Sequence, residues 1–258
     1  MTTTDPIGLV ATVGLVFLAF QAHFMITAGV AWYALWVRGS ASFRRIRTTE
    51  HLKPPRPLSE LAWSTFSIFL ISLMLGGVHQ ATERGWTSIY YDLSVADIWY
   101  LPVSIVAMAL VHDCYQYWAH RALHSPRLFR NVHRLHHSFN NPTPWACYAF
   151  HPVEAVILVG WFLPLCMLLP LHPAAVALYV AFLTTMNVVA HLGFELGSVS
   201  LARWGLTTTH HSLHHSRSRG HYMLYLNLWD RAMGTNQPDY YDEVAANSVR
   251  ESNYASNA

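Results

Sequence analysis

IGLVATVGLVFLAFQAHFMITAGVAWYALWV, residues 7–37, carries no charged side chain from end to end. About 20 apolar residues cross a bilayer as an α-helix, so this run is long enough to span one with some tilt. The preceding MTTTDP lacks the basic n-region of a cleaved signal peptide, and the segment is expected to be a retained transmembrane helix. Immediately outward come Arg38, Arg44, Arg45, Arg47, Lys53 and Arg56. Short basic loops stay on the cytoplasmic side, which puts this loop inside and the N-terminus outside.

Further spans follow the same reading. A second helix covers roughly 58–78, after the KPPRP stretch, and a mixed-charge outer loop with Glu83, Arg84 and Asp92 occupies 79–95. A third starts near Ala96, runs through WYLPVSIVAMALV and continues past Asp113 into YQYWAHRALH, long enough to project beyond the bilayer. The apolar runs 152–169 and 173–191, joined around Pro170 and Pro173, form a helical hairpin, spanning or re-entrant. The expectation is an all-α integral membrane protein with four or five transmembrane helices and a cytoplasmic helical cap. Its parts are N-terminal membrane helices with the basic loop (1–94), a catalytic region (95–240) and a flexible C-terminal tail (241–258).

Composition agrees. Hydrophobic residues make up 53% of the 258 and charged residues 12%, against about 25% charged in a soluble domain. The net charge of +2 gives no basic surplus for a nucleic-acid partner. Cys114, Cys147 and Cys166 are scattered and odd in number, so they read as small apolar residues of helices rather than a disulfide framework.

Histidine is the anomaly: seventeen, concentrated between His112 and His221. His120-Arg-Ala-Leu-His124 places two imidazoles four residues apart on one helix face. His133-Arg-Leu-His136-His137 and His210-His211-Ser-Leu-His214-His215 each put i and i+3 on one face, with the adjacent histidine turned to another side. The topology brings these clusters and His191 to one side of the membrane. Solvated basic faces do not need this many imidazoles on one side, whereas metal ions take neutral imidazole readily. Eight or nine exceed the coordination sphere of one ion, so two ions are expected. Imidazole suits Zn, Cu, Fe and Ni alike, and spacing alone does not choose. Soluble carboxylate di-iron bundles use Glu-x-x-His pairs, and none occurs here.

The order DCYQYWAHRALH (113–124), HRLHH (133–137), HPVE (151–154), HLGFE (191–195), HHSLHH (210–215) and WDRAMGT (229–235) resembles the fatty acid hydroxylase and sterol desaturase superfamily over roughly residues 95–240. The resemblance implies a membrane non-haem di-iron oxidoreductase that uses two iron ions and O2 to hydroxylate or desaturate a lipid such as a sterol or fatty acyl chain. Carried over by position, the metal ligands are His120, His124, His133, His136, His137, His211, His214 and His215, with His191 as ninth and His210 a near neighbour. Asp113 is expected to orient a ligand histidine, and Glu195, His151 and Glu154 to contact the site. Related sequences carry Asn-Tyr-Gly where this chain has His221-Tyr222-Met223. There Met223 would fill space that glycine leaves open, and His221 adds a candidate ligand.

No dinucleotide-binding glycine fingerprint is present, so electrons are expected from a separate donor protein of ferredoxin or cytochrome b5 type, docking near Arg121, Arg127, Arg130 and Arg134. The location implied is a bacterial inner membrane or the endoplasmic reticulum, with the metal site facing the cytoplasm. A histidine-rich metal transporter would need ionisable residues along a mid-membrane path, and the spans carry almost none. A membrane zinc hydrolase would show His-Glu-x-x-His, which is absent. His23, His51, His79 and His172 lie away from the clusters and read as structural.

Overall fold

The computed structural model of the chain describes residues 6–39 and 53–255. Arg44, Arg45, Arg47 and His51 fall outside the described residues. The described chain is helical, apart from an isolated backbone bridge between Gly205 and Leu226. Four helices have the length and apolarity to cross a membrane. They are α1 (Pro6–Trp32, extended by a π-helical turn Tyr33–Arg38), α2 (Pro57–Glu83), α3 (Val95–Leu123) and, later in the chain, α8 (Pro173–Ala190). Proline occupies the first turn of α2 and α8, where its missing N–H costs nothing. Val10 (72% exposed), Leu15 (70%) and Leu18 (65%) point out of the bundle, an arrangement that suits hydrocarbon rather than water.

Short helices fill the cap. After α3 come α4 (Pro126–Leu128), a π-helical turn Phe129–His133 and α5 (Arg134–His137). Next, α6 (Pro152–Val159) and α7 (Phe162–Leu168) form an interrupted pair before α8. Glu154 on α6 reaches His133, and the carbonyl of Cys166 on α7 accepts from Ser88 N on the loop after α2. The pair therefore runs from the histidine end of the bundle to the opposite end, and α8 returns. The chain closes with α9 (Val199–Ala202), α10 (Thr208–Arg217), α11 (Leu228–Ala232) and α12 (Tyr240–Ala255).

The region expected as a tail from 241 is thus helical. Tyr240 and Val244 bury against Ala202 and Leu213, and Arg217 clamps Asp239 with two bonds of 2.6 and 2.7 Å. An amphipathic face and that clamp give the segment something to fold against, which its polar composition hid.

The principal core lies between α1, α2, α8 and the loop 143–150, where Phe20, Phe24, Ile68, Trp145, Tyr148 and Val188 meet. The loop is pinned to α2 by polar bonds within that core. Ser64 Oγ donates to Trp145 O (2.6 Å), Ser67 Oγ donates to Phe150 O (3.2 Å), and Thr143 donates from its backbone N–H and its hydroxyl to Glu60. Buried hydroxyls and carboxylates need such partners. Here they fix the loop that stands behind the histidines. At this end Trp36 Nε1 donates to Leu192 O and Arg56 donates to Ser138 O, so the α1–α2 connection and the histidine-bearing segments share one end of the molecule.

Candidate metal centre

Nine histidines converge there in two groups, each with ligand atoms within 4.8 Å of one another. One holds His120, His124, His133, His137 and His214; the other holds His136, His191, His211 and His215. They are the same nine that the sequence singled out, but the partition differs from the expected one. In each His-x-x-His-His the first and last residues share a group, and the middle one crosses to the other. Four residues turn an α-helix by about 400°, leaving about 40° between side chains, whereas three leave about 60° in the opposite sense. The i+4 pair therefore converges more closely, and the i+3 side chain looks past it. The π-helical turn ending at His133 sets the rotation of the first motif, a distortion typical of functional sites.

Most of these rings are oriented by a fixed acceptor. His124 Nδ1 donates to Ser218 O (3.1 Å), His214 Nδ1 to Gly220 O (2.6 Å) and His120 Nδ1 to Tyr222 O (3.2 Å). His137 Nδ1 lies 3.3 Å from Ser218 Oγ. One loop thus serves four histidines of the five-membered group, and Glu154 Oε1 accepts from the fifth, His133, at 2.7 Å. In the second group His191 Nδ1 donates to Asn187 O (2.8 Å) and His136 Nδ1 faces Ala149 O at 3.4 Å. A carbonyl can only accept, so each bonded Nδ1 carries the proton and its Nε2 presents a lone pair.

The Nε2 atoms face one another. Those of His133 and His137 are 3.1 Å apart, those of His191 and His211 3.1 Å, and those of His211 and His215 3.0 Å. His124 Nε2 and His214 Nε2 are buried without a hydrogen-bond partner. Nine imidazoles converging on two points, with ring nitrogens this close and two left unpartnered, form a donor set that fits two metal ions. Burial first, and the neighbouring histidines second, hold His133, His137, His214 and His215 well below the ordinary imidazole range. The rings are therefore neutral and ready to ligate.

The loop 218–222 owes its path to left-handed backbone at Ser218 (φ 54°), Gly220 (65°) and His221 (57°). A Cβ on Gly220 would stand 2.5 Å from Thr235 O. Asp230 holds the far side: its carboxylate accepts from Tyr222 N (3.0 Å), Met223 N (2.8 Å) and Thr235 Oγ1 (2.5 Å). Nothing in its residue type marks Asp230 as part of the site; its place in WDRAMGT is the available signal.

Other candidates act at one remove or elsewhere. Asp113 touches no histidine; Oδ1 accepts from Tyr225 N (2.7 Å) and Leu226 N (3.1 Å), clamping the chain beyond the loop. Glu195 accepts from Gly197 N (2.6 Å) and Thr209 N (2.8 Å), anchoring the start of α10 rather than entering the site. His151 caps α6 through Val153 N, and His172 caps α8 through Ala174 N. His210 sits 3.3 Å from Asp230, and His221 accepts from Gln237 N, so both lie behind the loop and in neither group. Met223 is buried against Ala190 and Leu206 and borders the histidines.

Three neighbouring cavities, parted by shared side chains, lie in a row from a groove to the centre. A groove of about 520 Å³ between α1, α2 and α8 adjoins an inner cavity of about 90 Å³ through Phe20, Leu75, Phe162 and Val180. That cavity meets a 40 Å³ space through Gln116, Phe150, Leu158, Asn187 and Leu224, and the space is bordered by His120, His133, His136, His191 and His211.

Helices long and apolar enough to cross a membrane thus gather, at one end, two histidine clusters that could hold metal ions. Residues 105–235 match the fatty acid hydroxylase family, and the chain belongs to it. It is 27% identical over 216 residues to a Delta(7)-sterol 5(6)-desaturase of Leptosphaeria maculans, covering 82% of this chain and 57% of that protein. It is 31% identical over 175 residues to lathosterol oxidase of Mus musculus (66% and 54%). To methylsterol monooxygenase 1 of Danio rerio it is 28% identical over 194 residues (71% and 66%). The chain thus spans rather more than half the length of these relatives. No solved structure matches it significantly.

Proposed function

We propose that this chain is an O2-dependent membrane oxidoreductase that holds two iron ions and hydroxylates or desaturates a C–H bond of a lipid, with a sterol as the first candidate. The observation that carries this reading is the placement of two inward-facing histidine groups beside a row of neighbouring apolar cavities. The relatives' names, a desaturase, an oxidase and a monooxygenase that each name a sterol, support the same class.

Bound iron would supply the oxidation of an unactivated C–H bond by O2. The protein's part is to hold, orient and exclude. His120, His124, His133, His137 and His214 would seat one ion, and His136, His191, His211 and His215 the other. The backbone acceptors of Ser218, Gly220 and Tyr222 keep Nε2 of their histidines free of protons. Phe150, Leu158 and Leu224 would guide the hydrocarbon and keep bulk water away. Asp113 and Glu195 would act as positioning residues, through the 225–226 backbone and α10.

The metal end would face the cytoplasm, a placement that the basic α1–α2 connection supports. Arg121, Arg127, Arg130 and Arg134 are exposed at that end and would steer an acidic electron donor of ferredoxin or cytochrome b5 type.

The test is lipid analysis of a host with and without the gene under 18-oxygen gas. The expected result is a lipid that gains one labelled oxygen, or loses two hydrogens, only when the gene is present. An unchanged lipid profile with iron-loaded protein in the membrane would overturn the reading.

A further inference from the structure

One face of α3 changes character along its length. Val103, Val106 and Leu110 are exposed and apolar, and Trp118 and then Arg121 follow toward the histidine end. The Arg121 guanidinium lies 5.7 Å from the centre of the Trp118 ring. Aliphatic side chains, then an aromatic ring, then a cation is the order a helix shows as it leaves a bilayer. The length agrees. From Ile98, where the apolar span begins, to Trp118 the helix rises about 30 Å, the thickness of a hydrocarbon core.

The cap meets α3 at that level with more apolar surface. The Trp118 and Trp229 rings are 6.3 Å apart. On and beside α11 stand Leu228 (58% exposed) and Met233, and the segment after α9 adds Trp204 (68% exposed). The two segments are tied together. Asn227 N donates to Trp204 O (3.0 Å), and Arg231 lies over the Trp204 ring at 4.8 Å while donating to Arg203 O (3.0 Å). Large apolar side chains gathered in the open mark an interaction surface. The charge around them has one sign: Arg203 and Arg231 are exposed, whereas the single acid between 196 and 234, Asp230, is buried.

We propose that the face formed by α9, α11 and their connections rests in the bilayer leaflet at the metal end, with Leu201, Trp204 and Leu228 in the lipid and Arg203 and Arg231 on the phosphates of anionic headgroups. The inference goes beyond the oxidoreductase reading and stands without it. Continuity chooses the occupant. The patch runs on from the outward stripe of α3, at the depth where that helix meets the headgroups, so lipid rather than a soluble partner is what it meets first. Tryptophan favours that depth, and guanidinium groups reach from apolar surface to phosphate. Asp230 lies between Trp229 and Arg231, so the helix that braces the histidine loop is the one the leaflet moors.

The experiment uses the full chain with bound metal, in nanodiscs of phosphatidylcholine with one-quarter phosphatidylglycerol. Nitroxide labels are placed singly on Leu201→Cys, Leu228→Cys and, as a control beyond the end of α3, Arg127→Cys. The background carries Cys114→Ala, since Cys147 and Cys166 are buried. The labels at 201 and 228 should be relaxed more by O2, which concentrates in lipid, than by a water-soluble nickel chelate, and the label at 127 in the reverse order. Labels at 201 and 228 that follow the order seen at 127 would overturn the proposal and leave the face as a docking surface for a soluble protein. Native mass spectrometry of the purified protein, titrated with phosphatidylglycerol or phosphatidylcholine, reads the headgroups. Arg231→Gln and Arg203→Gln should each bind phosphatidylglycerol roughly fivefold more weakly, the worth of one basic residue near an anionic lipid surface, with phosphatidylcholine binding and metal content unchanged. A native protein without preference for phosphatidylglycerol, or a preference untouched in both variants, would remove the headgroup contacts.

Discussion

Glu154 accepts a hydrogen bond from His133 across 2.7 Å, with both side chains closed off from solvent. The contact joins α6, a helix of the membrane bundle, to the segment that carries His133, His136 and His137. Carboxylates in this position fix the tautomer of a ligating ring and raise its basicity. Replacing Glu154 with Ala should weaken metal binding by about 10–100-fold, and Gln, which keeps an acceptor, by less. Competition with a chelator on the purified protein measures it; native affinity in the Ala variant would remove Glu154 from the site.

The two histidine groups should lose metal separately. His191→Ala removes one of four donors from the second group, and His124→Ala one of five from the first. Each variant is expected to retain about one ion per chain under gentle purification, because each seat is built from a closed set of neutral imidazoles. Elemental analysis that finds both ions lost in either variant would show that the seats are not independent.

Asp230 should matter although it approaches no ion. Its carboxylate takes the backbone N–H groups of Tyr222 and Met223 and the Thr235 hydroxyl, and Tyr222 O in turn orients His120. Asp230→Asn replaces an acceptor oxygen by an NH2 that faces a backbone N–H. The expected outcome is loss of metal from the first group ahead of the second, with membrane insertion unchanged. Metal content at increasing chelator concentration reads the order, and loss from both groups at once would contradict it.

Acid should unlatch the metal-free protein. Burial lowers His191 to about 4 and His124 to about 3, from an ordinary value of 6.5. The unfolded chain thus takes up protons that the folded chain refuses. Stability is fully present above pH 6.5 and is lost as the pH falls from 6.5 toward 4. Thermal unfolding of the chelated protein across that range tests this; a midpoint that stays level between pH 7 and 5 would be inconsistent with buried neutral rings.

Much of this architecture was legible before any coordinates. The uncharged run 7–37 and the apolar stretches after it require helices in a bilayer, and the histidine spacings mark the faces that meet. Other features left no letter to read. The acceptors for His120, His124 and His214 are backbone carbonyls, which every residue possesses. Asp113 and Glu195 stand out as acids near histidines, but both accept from main-chain N–H groups instead, Asp113 from Tyr225 and Leu226 far off in sequence and Glu195 from Gly197 and Thr209. Whether the i+3 or the i+4 histidine shares an ion with the first depends on offsets of about 60° to one side and about 40° to the other, which spacing alone does not rank. The helix α12 was hidden because its partners, Ala202 and Leu213, lie on segments brought near only by the fold.

Because Ser218, Gly220 and Tyr222 serve the histidines through main-chain oxygens, what the stretch must keep is its course through space, which Gly220 fixes by leaving no room for a side chain. A substitution at Tyr222 that keeps the backbone path leaves its carbonyl in place beside His120. What inheritance must preserve there is a bend: left-handed turns at three residues, braced from behind by Asp230. Changes on the loop's surface can then alter the wall beside the lipid passage while the rings keep their aim, so the pocket is able to drift toward new substrates on a fixed metal platform.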